Sequence, residues 1–383
     1  MANMKITYIY TALTTIGGVD RILSVKANYF ADVLNYDVYI ITDSQAGRPI
    51  VFPLSDRVHH IDLDIDFGEQ YKYNTFKRYL CYRKLMKKYK FRLTETLKQI
   101  KSDFVITTCG RDMDFITKIQ DGSIKIGESH ISRHYVRNFH LLENKGFPYN
   151  CIVKYWRFRQ DNAVRKLDAF VVLTNHDAQS WQKVRKAIVI PNPLTFVPTI
   201  QSDCKSRKII SVGRLNEQKG FDRLIEIWSL IAPRHKDWTI EIYGNGELQD
   251  NLNSLVTKYK VADSFHICSP TYNIIEKYCE SSIYVMSSKF EGFGLVLTEA
   301  MACGIPCISF DCPYGPSEII HDGVDGFLIN NGDINTFAKK LEYLMENPEI
   351  RKQMGMKALT GIKKYEQNNI MKLWTNLFHV LKP

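Results

Sequence analysis

Residues 5–10 form a short β-rich run that stops at Thr14, Thr15, Ile16, Gly17 and Gly18, after which Leu23, Ala27 and Phe30 recur at helical spacing. This order predicts a strand, a glycine turn and a helix. Short apolar runs return at 37–42, 104–107, 124–127 and 169–173 with helical stretches between them, so a parallel, doubly wound sheet is expected. A further run, Ile188, Val189, Ile190, ends in Pro191, Asn192 and Pro193, and the polar stretch 199–208 reads as a linker. The alternation then restarts, with strands expected at 208–212, 239–243, 265–267, 283–286, 306–310 and 326–329. Near the end, Ile370, Leu373, Trp374, Leu377 and Phe378 fall at helical spacing and predict an amphipathic helix.

The chain of 383 residues has the length for two α/β domains of roughly 150 to 200 residues each, with a cleft between them as the first place to look for function. The expected division is 1–195 and 207–365, both Rossmann-like, with the tail 366–383 packing back on the first. Apolar content of 45% and charged content of 24% exclude a disordered or fibrous chain. Residues 1–10 turn straight into a strand without the parts of a signal peptide, and no apolar run approaches the ~18 residues that cross a bilayer, so a cytoplasmic protein is expected. The nine cysteines are scattered, and Cys303, Cys307 and Cys312 lack paired Cys-x-x-Cys spacing, which favours free thiols over a zinc site.

Charge changes the picture in one place. The net charge is +10, which raises nucleic acid, an anionic membrane and acidic substrates as partners. Within 71–101, eleven Lys and Arg face Glu95 alone, so that one segment carries the whole excess. Met86, Tyr89, Leu93, Leu97 and Ile100 mark the apolar side of a helix there, with a solvated basic face opposite. The interleaved Tyr73, Phe76, Tyr79, Tyr82 and Tyr89 make nucleic-acid binding the non-enzymatic alternative.

The strongest chemical signal is Glu291-Gly-Phe293-Gly294-Leu295 running through Glu299 to Cys303-Gly-Ile-Pro306. Its glycines let backbone approach a ligand, and a helix starting near Leu295 offers free N–H groups to an anion. The two glutamates flank that pocket and can accept from hydroxyls. Arg214 and Lys219, just past a strand end, are placed to neutralise a diphosphate.

Glu-x7-Glu with an internal Gly-Phe-Gly and the trailing Cys-Gly-Ile-Pro resembles the signature of family 4 retaining glycosyltransferases of GT-B fold. The segments Ser211 to Leu215, Lys219-Gly220 and Tyr243 to Gly246 are similar to the same family. Asp311 to Ile320, Leu173-Thr174 and Ile190 to Pro193 resemble its branch for bacterial surface polysaccharides. The resemblance implies retaining transfer of a hexose or N-acetylhexosamine from a nucleotide sugar, most often UDP, to a glycan or lipid-linked acceptor. Front-face attack assisted by the leaving phosphate is implied, without metal or other cofactor. Glu299 would hold the ribose hydroxyls and Glu291 the donor sugar. Phe293, Gly294 and Leu295, with Gly213 and Gly244, would approach sugar and phosphate, and the turn from Ile267 to Pro270 would meet the base. In the first domain Gly17 and Gly18 would approach the donor phosphate, and either Glu128 or His130 would lie near the reacting sugar. Lipid-linked acceptors further imply a peripheral place at the inner face of the membrane, with 71–101 on anionic lipid and no nucleic acid bound.

Two other enzyme classes have sequence features. Asp62, Asp64 and Asp66, or Asp112 and Asp114, offer the Asp-x-Asp of a metal-dependent transferase, although Asp alternating with apolar residues more simply describes a half-buried strand. An NAD-dependent oxidoreductase needs a third glycine after Gly244 and Gly246, where Gln249 stands.

Overall fold

The computed structural model describes residues 3–136, 139–143 and 145–382. The chain forms two compact units, one of Met1–Pro193 with Met371–Pro383, the other of Leu194–Ile370. The first holds a seven-stranded parallel sheet of order β3-β2-β1-β4-β5-β6-β7. Its strands are β1 (Lys5–Tyr10), β2 (Asp37–Thr42), β3 (Val58–Asp62), β4 (Phe104–Thr107), β5 (Ile124–Ser129), β6 (Ala169–Val172) and β7 (Ile188–Val189). The second holds six parallel strands in the order β10-β9-β8-β11-β12-β13. These are β8 (Lys208–Val212), β9 (Thr239–Tyr243), β10 (Phe265–Cys268), β11 (Ile283–Met286), β12 (Cys307–Asp311) and β13 (Gly326–Asn330). The central strands β4, β6 and β11 are buried at every position, as befits strands covered by helices on both faces.

Each face of the first sheet has its own helical cover. On one, Leu85, Tyr89, Leu93 and Leu97 of the helix Thr75–Ile100 join Ile9, Ile41, Val105 and Phe170 in a single apolar cluster. Asn74 caps this helix by accepting from the Lys77 N–H at 3.3 Å, and Lys101 closes it in the left-handed region. On the other face, Phe378 of the tail helix Gln367–Leu381 stacks on Phe104 at 4.5 Å and meets Phe30 at 5.6 Å. The buried side of the tail is rotated slightly from the expected one, because Met371 is buried and Leu373 is exposed.

Two expectations are corrected. Residues 199–208 do not form a free linker but pack on the second unit: Ser202 donates to the Ser281 carbonyl at 2.6 Å, and buried Arg351 donates to the Cys204 carbonyl at 2.9 Å. The chain passes between units at Pro193–Leu194 and again at Ile370–Met371. The Asp62–Asp66 alternation lies past the strand, which stops at Asp62, and Asp66 instead caps a short helix by accepting from the Gly68 N–H at 2.9 Å. All nine cysteines are free, with Cys204, Cys303, Cys307 and Cys312 buried and Cys151 exposed.

Candidate active site

In the second unit, the turns after β8 and β9 lie backbone to backbone. The Leu215 N–H donates to the Asn245 carbonyl at 2.8 Å. A Cβ on Gly244 would fall 1.9 Å from the Gly213 carbonyl oxygen, and one on Gly246 would fall 2.3 Å from that of Leu215. No side chain fits either place, so both glycines are required by the packing itself. Gly220 then opens the helix Phe221–Ile231 at φ +61, and its missing Cβ makes room for the Ser287 carbonyl. The bend carries Lys219 across Gly213, whose own Cβ would sit 3.1 Å from the lysine Cδ and Cε, and brings Nζ to 2.6 Å from Glu291 Oε1. Ser288 donates to the same oxygen at 2.6 Å. Arg214, its neighbour, is exposed.

Glu291 begins the loop into the helix Leu295–Ala302, which Gly294 caps at φ +93. The first amides of a helix lack intrahelical partners, and an anion is favoured beside them. From beneath, Gly315 holds the loop, since a Cβ there would lie 2.2 Å from the Phe293 carbonyl oxygen, while the Phe293 ring meets Tyr365 edge-on at 5.4 Å. Glu299 lies in the following turn, buried, with Thr195 donating to one carboxylate oxygen at 2.8 Å and Tyr278 to the other at 3.2 Å. Ile267 is in edge strand β10, and the Cys268 carbonyl accepts from the Gly244 N–H at 3.0 Å, so the turn toward Pro270 borders the Gly244 turn. The structure thus joins Gly213, Lys219 and Glu291 directly, and Gly244 with the end of β10. A cation, two carboxylates and a helix N-terminus can together receive a polyhydroxylated anion.

In the first unit, Glu128 and His130 take different surroundings. Glu128 at the end of β5 is wholly buried, and both of its oxygens accept from Lys26 Nζ at 2.6 Å. Lys26 in turn lies 4.0 Å from the Trp374 ring centre and 5.3 Å from that of Tyr8. Burial opposes the charge on Glu128 and Lys26 overcomes it, holding the carboxyl below its ordinary range. Glu128 is therefore committed to the core. His130 instead lines a cavity of about 310 Å³ with Tyr10, Ser129, Ile131, Trp156 and Arg159. Its Nε2 is 3.4 Å from Glu128 without a hydrogen bond, and burial pushes the ring below its ordinary pKa against the pull of Glu128, so it is neutral near pH 7. Gly17 caps the helix Gly18–Asn28, and the preceding loop is tied down by Asp20, which accepts from the Thr15 N–H at 2.8 Å and the Tyr10 hydroxyl at 2.6 Å. Lys26, Trp156 and Arg159 carried no signal in the sequence.

Asp112 and Asp114 take different partners. Asp114 pairs with Arg159 at 2.9 Å, whereas Asp112 is buried with Oδ2 unpartnered. Burial pushes the Asp112 carboxyl up to about 7, against a hydrogen bond from Thr107. A folded-state pKa above the unfolded one favours the protonated, folded form, so this group's contribution is lost as pH rises through about 7. Asp112→Asn will therefore match the parent in melting temperature near pH 4 and exceed it at about pH 8, by roughly 1–3 kcal/mol of stability. Parallel melting curves for the two proteins across that range would contradict it.

Residues 197–360 match the family Glycosyl transferases group 1. An uncharacterized glycosyltransferase of Haemophilus influenzae is 29% identical, over 97% of this chain and 99% of its own. The amylovoran biosynthesis glycosyltransferase AmsD of Erwinia amylovora is 34% identical, over 57% of this chain and 66% of its own. Among solved structures, a variant of S. aureus TarM in complex with fondaparinux, α-GlcNAc-glycerol and UDP superposes with a TM-score of 0.79 at 17% identity, covering 98% of this chain and all of that one. With its match to the group 1 glycosyl transferases over 197–360 and two parallel-sheet units, the chain has the GT-B fold and is similar to glycosyltransferases.

Proposed function

We propose that the chain transfers a hexose or N-acetylhexosamine from a UDP-sugar to a glycan acceptor in surface polysaccharide synthesis, with retention of anomeric configuration. The observation that carries this reading is the Lys219–Glu291 pair set against Gly213 and beside the Gly294 helix start, a cation and a carboxylate where diphosphate and sugar would meet. In this reading the C1–O bond to the diphosphate breaks, and Lys219, Arg214 and the helix amides take up the charge that develops. The acceptor oxygen bonds to C1 on the face the diphosphate leaves, and its proton passes to a departing phosphate oxygen. Glu299, braced by Thr195 and Tyr278, accepts from the ribose hydroxyls, and Glu291 accepts from those of the sugar. The cavity beside His130 receives the acceptor. Support for UDP and for polysaccharide synthesis comes from the UDP in the TarM structure and from the role of AmsD.

Because the counter-charge comes from side chains and amides, no divalent ion is needed. Nucleotide release from a panel of nucleotide sugars will single out a UDP-sugar and persist in EDTA, and that sugar will raise the melting temperature of the parent but not of Glu299→Ala. Loss of release in EDTA would sink the metal-independent mechanism, and absence of any binding would sink the donor site.

A further inference from the structure

The described residues that line the cavity beside His130 all belong to the first unit. Tyr10 ends β1 and Thr11 follows it, Thr108 to Gly110 follow β4, and Ser129 to Ile131 lie where β5 ends. β1 and β4 are neighbours in the sheet although β2 and β3 come between them in sequence, so the cavity lies at the point where the strand order reverses. Parallel sheets bind their ligands outside the carboxyl ends of the strands at such a point. The helix Tyr149–Arg165 forms another wall through Trp156, Arg159 and Ala163. At about 310 Å³ the space is at the small end for ligand sites and suits one sugar residue rather than a chain of them.

Apolar side chains make most of the wall, chiefly Val19, Met113, Ile131, Trp156, Val164 and Phe170. Its hydroxyl hydrogens are largely spent inside the protein: Tyr10 donates to Asp20 at 2.6 Å, Ser129 to the Ile131 carbonyl at 2.8 Å and Thr108 to the Ile9 carbonyl at 3.2 Å. Asp114 and Arg159 are the charged side chains among the described lining residues, and they pair with each other at 2.9 Å, so the wall carries no net charge. The Arg159 guanidinium also lies 5.0 Å from the Trp156 ring centre, which together with Asp114 fixes its orientation. A guanidinium has five N–H donors, more than one carboxylate can take.

We propose that this cavity selects an acceptor whose terminal residue is an N-acetylated hexosamine, with the acetamido arm inside and the ring hydroxyls toward the mouth. An Arg159 N–H donates to the acetamido carbonyl, the Gln160 side chain accepts from the acetamido N–H, and the methyl packs against Met113, Val164 and Phe170. A plain hexose would bring a hydroxyl in place of that arm, leaving the apolar wall uncovered and the hydroxyl short of partners. A uronic acid would bring a carboxylate to an arginine whose charge Asp114 already meets, and burying it there would cost more than it returns. The use of this sugar as acceptor rests on the transferase reading; the preference of the cavity for it does not.

Ligand-observed saturation-transfer NMR with the full chain tests it, using the methyl glycosides of N-acetylglucosamine, N-acetylgalactosamine, glucose, galactose and glucuronic acid. At least one acetamido glycoside will bind about tenfold or more tightly than its hydroxyl counterpart, with its acetyl methyl the most strongly saturated group. Ala163→Leu, which fills the cavity from a helix position and changes no charge, will abolish that binding. Asp114→Asn/Arg159→Gln, which removes the pair together, will bring the acetamido and hydroxyl glycosides within a few fold of each other. The melting temperature of each variant is the folding control. Thermal stabilisation of the parent by UDP, measured on the same samples, reports on the donor site, so a failed donor reading shows itself separately. The proposal is overturned if no glycoside binds, if a hydroxyl or acidic glycoside binds as tightly as the acetamido ones, if the ring protons take more saturation than the acetyl methyl, or if both variants bind like the parent.

Discussion

Lys219→Ala will lower kcat/KM for the UDP-sugar by about two to three orders of magnitude, the cost of removing a preorganised charge from a departing anion. The lysine is fixed before any ligand arrives: its stem crosses Gly213, its Nζ meets Glu291 at 2.6 Å, and Gly220 sets the bend that delivers it. Loss of the amine also leaves Glu291 beside the diphosphate position with its negative charge unopposed, so UDP affinity will fall along with turnover. Lys219→Arg restores charge but not length or shape, and it will recover part of the loss. Steady-state rates with the melting temperature of each variant as a folding control provide the check. Turnover within a few fold of the parent would remove Lys219 from the mechanism.

The second large effect concerns stability. Lys26→Met strands the Glu128 carboxylate in the core with only His130 near it and will cost about 3–5 kcal/mol, the usual price of breaking a buried ion pair from one side. Lys26→Met/Glu128→Gln removes both charges and will recover most of that loss. The pH dependence separates this cause from simple repacking. In the parent, Glu128 has its folded pKa depressed, so its contribution is present above the unfolded value and is lost as pH falls through the folded value. Without Lys26, burial acts alone and raises the folded pKa, so the single variant will gain stability on mild acidification while the double variant will not. Identical pH profiles for the two variants would show that the charge on Glu128 is not what the lysine offsets.

The strands were legible where they are short, apolar and buried, as at Phe104–Thr107 and Ile283–Met286, because a covered parallel strand has no polar side to confuse it. β3 was missed because Val58–Asp62 is an edge strand that includes His59, His60 and Asp62, and the apolar alternation that follows belongs to a loop. In the second unit the glycines and charges of the site lie in four short sequence segments, and each was visible as a pattern. The first unit was opaque for the opposite reason. Lys26 and Glu128 are 102 positions apart, and nothing local marks a lysine in an amphipathic helix as one that will be buried. Glu128 thus read as an equal candidate with His130 until its partner was seen. The walls contributed by Trp156 and Arg159 come from a helix whose sequence is unremarkable.

The path of the chain sets a timetable for its synthesis. Trp374 and Phe378, which cover Lys26 and Phe104, are translated only after the whole of the second unit has been made. The first unit therefore leaves the ribosome with Phe30 and Phe104 not yet covered by the tail and an ammonium group not yet enclosed, and it waits in that state while a separate domain is completed. Its maturation is tied to the tail helix, so a ribosome that stalls before Trp374 would leave a second unit able to fold and a first unit still exposing Phe30 and Phe104.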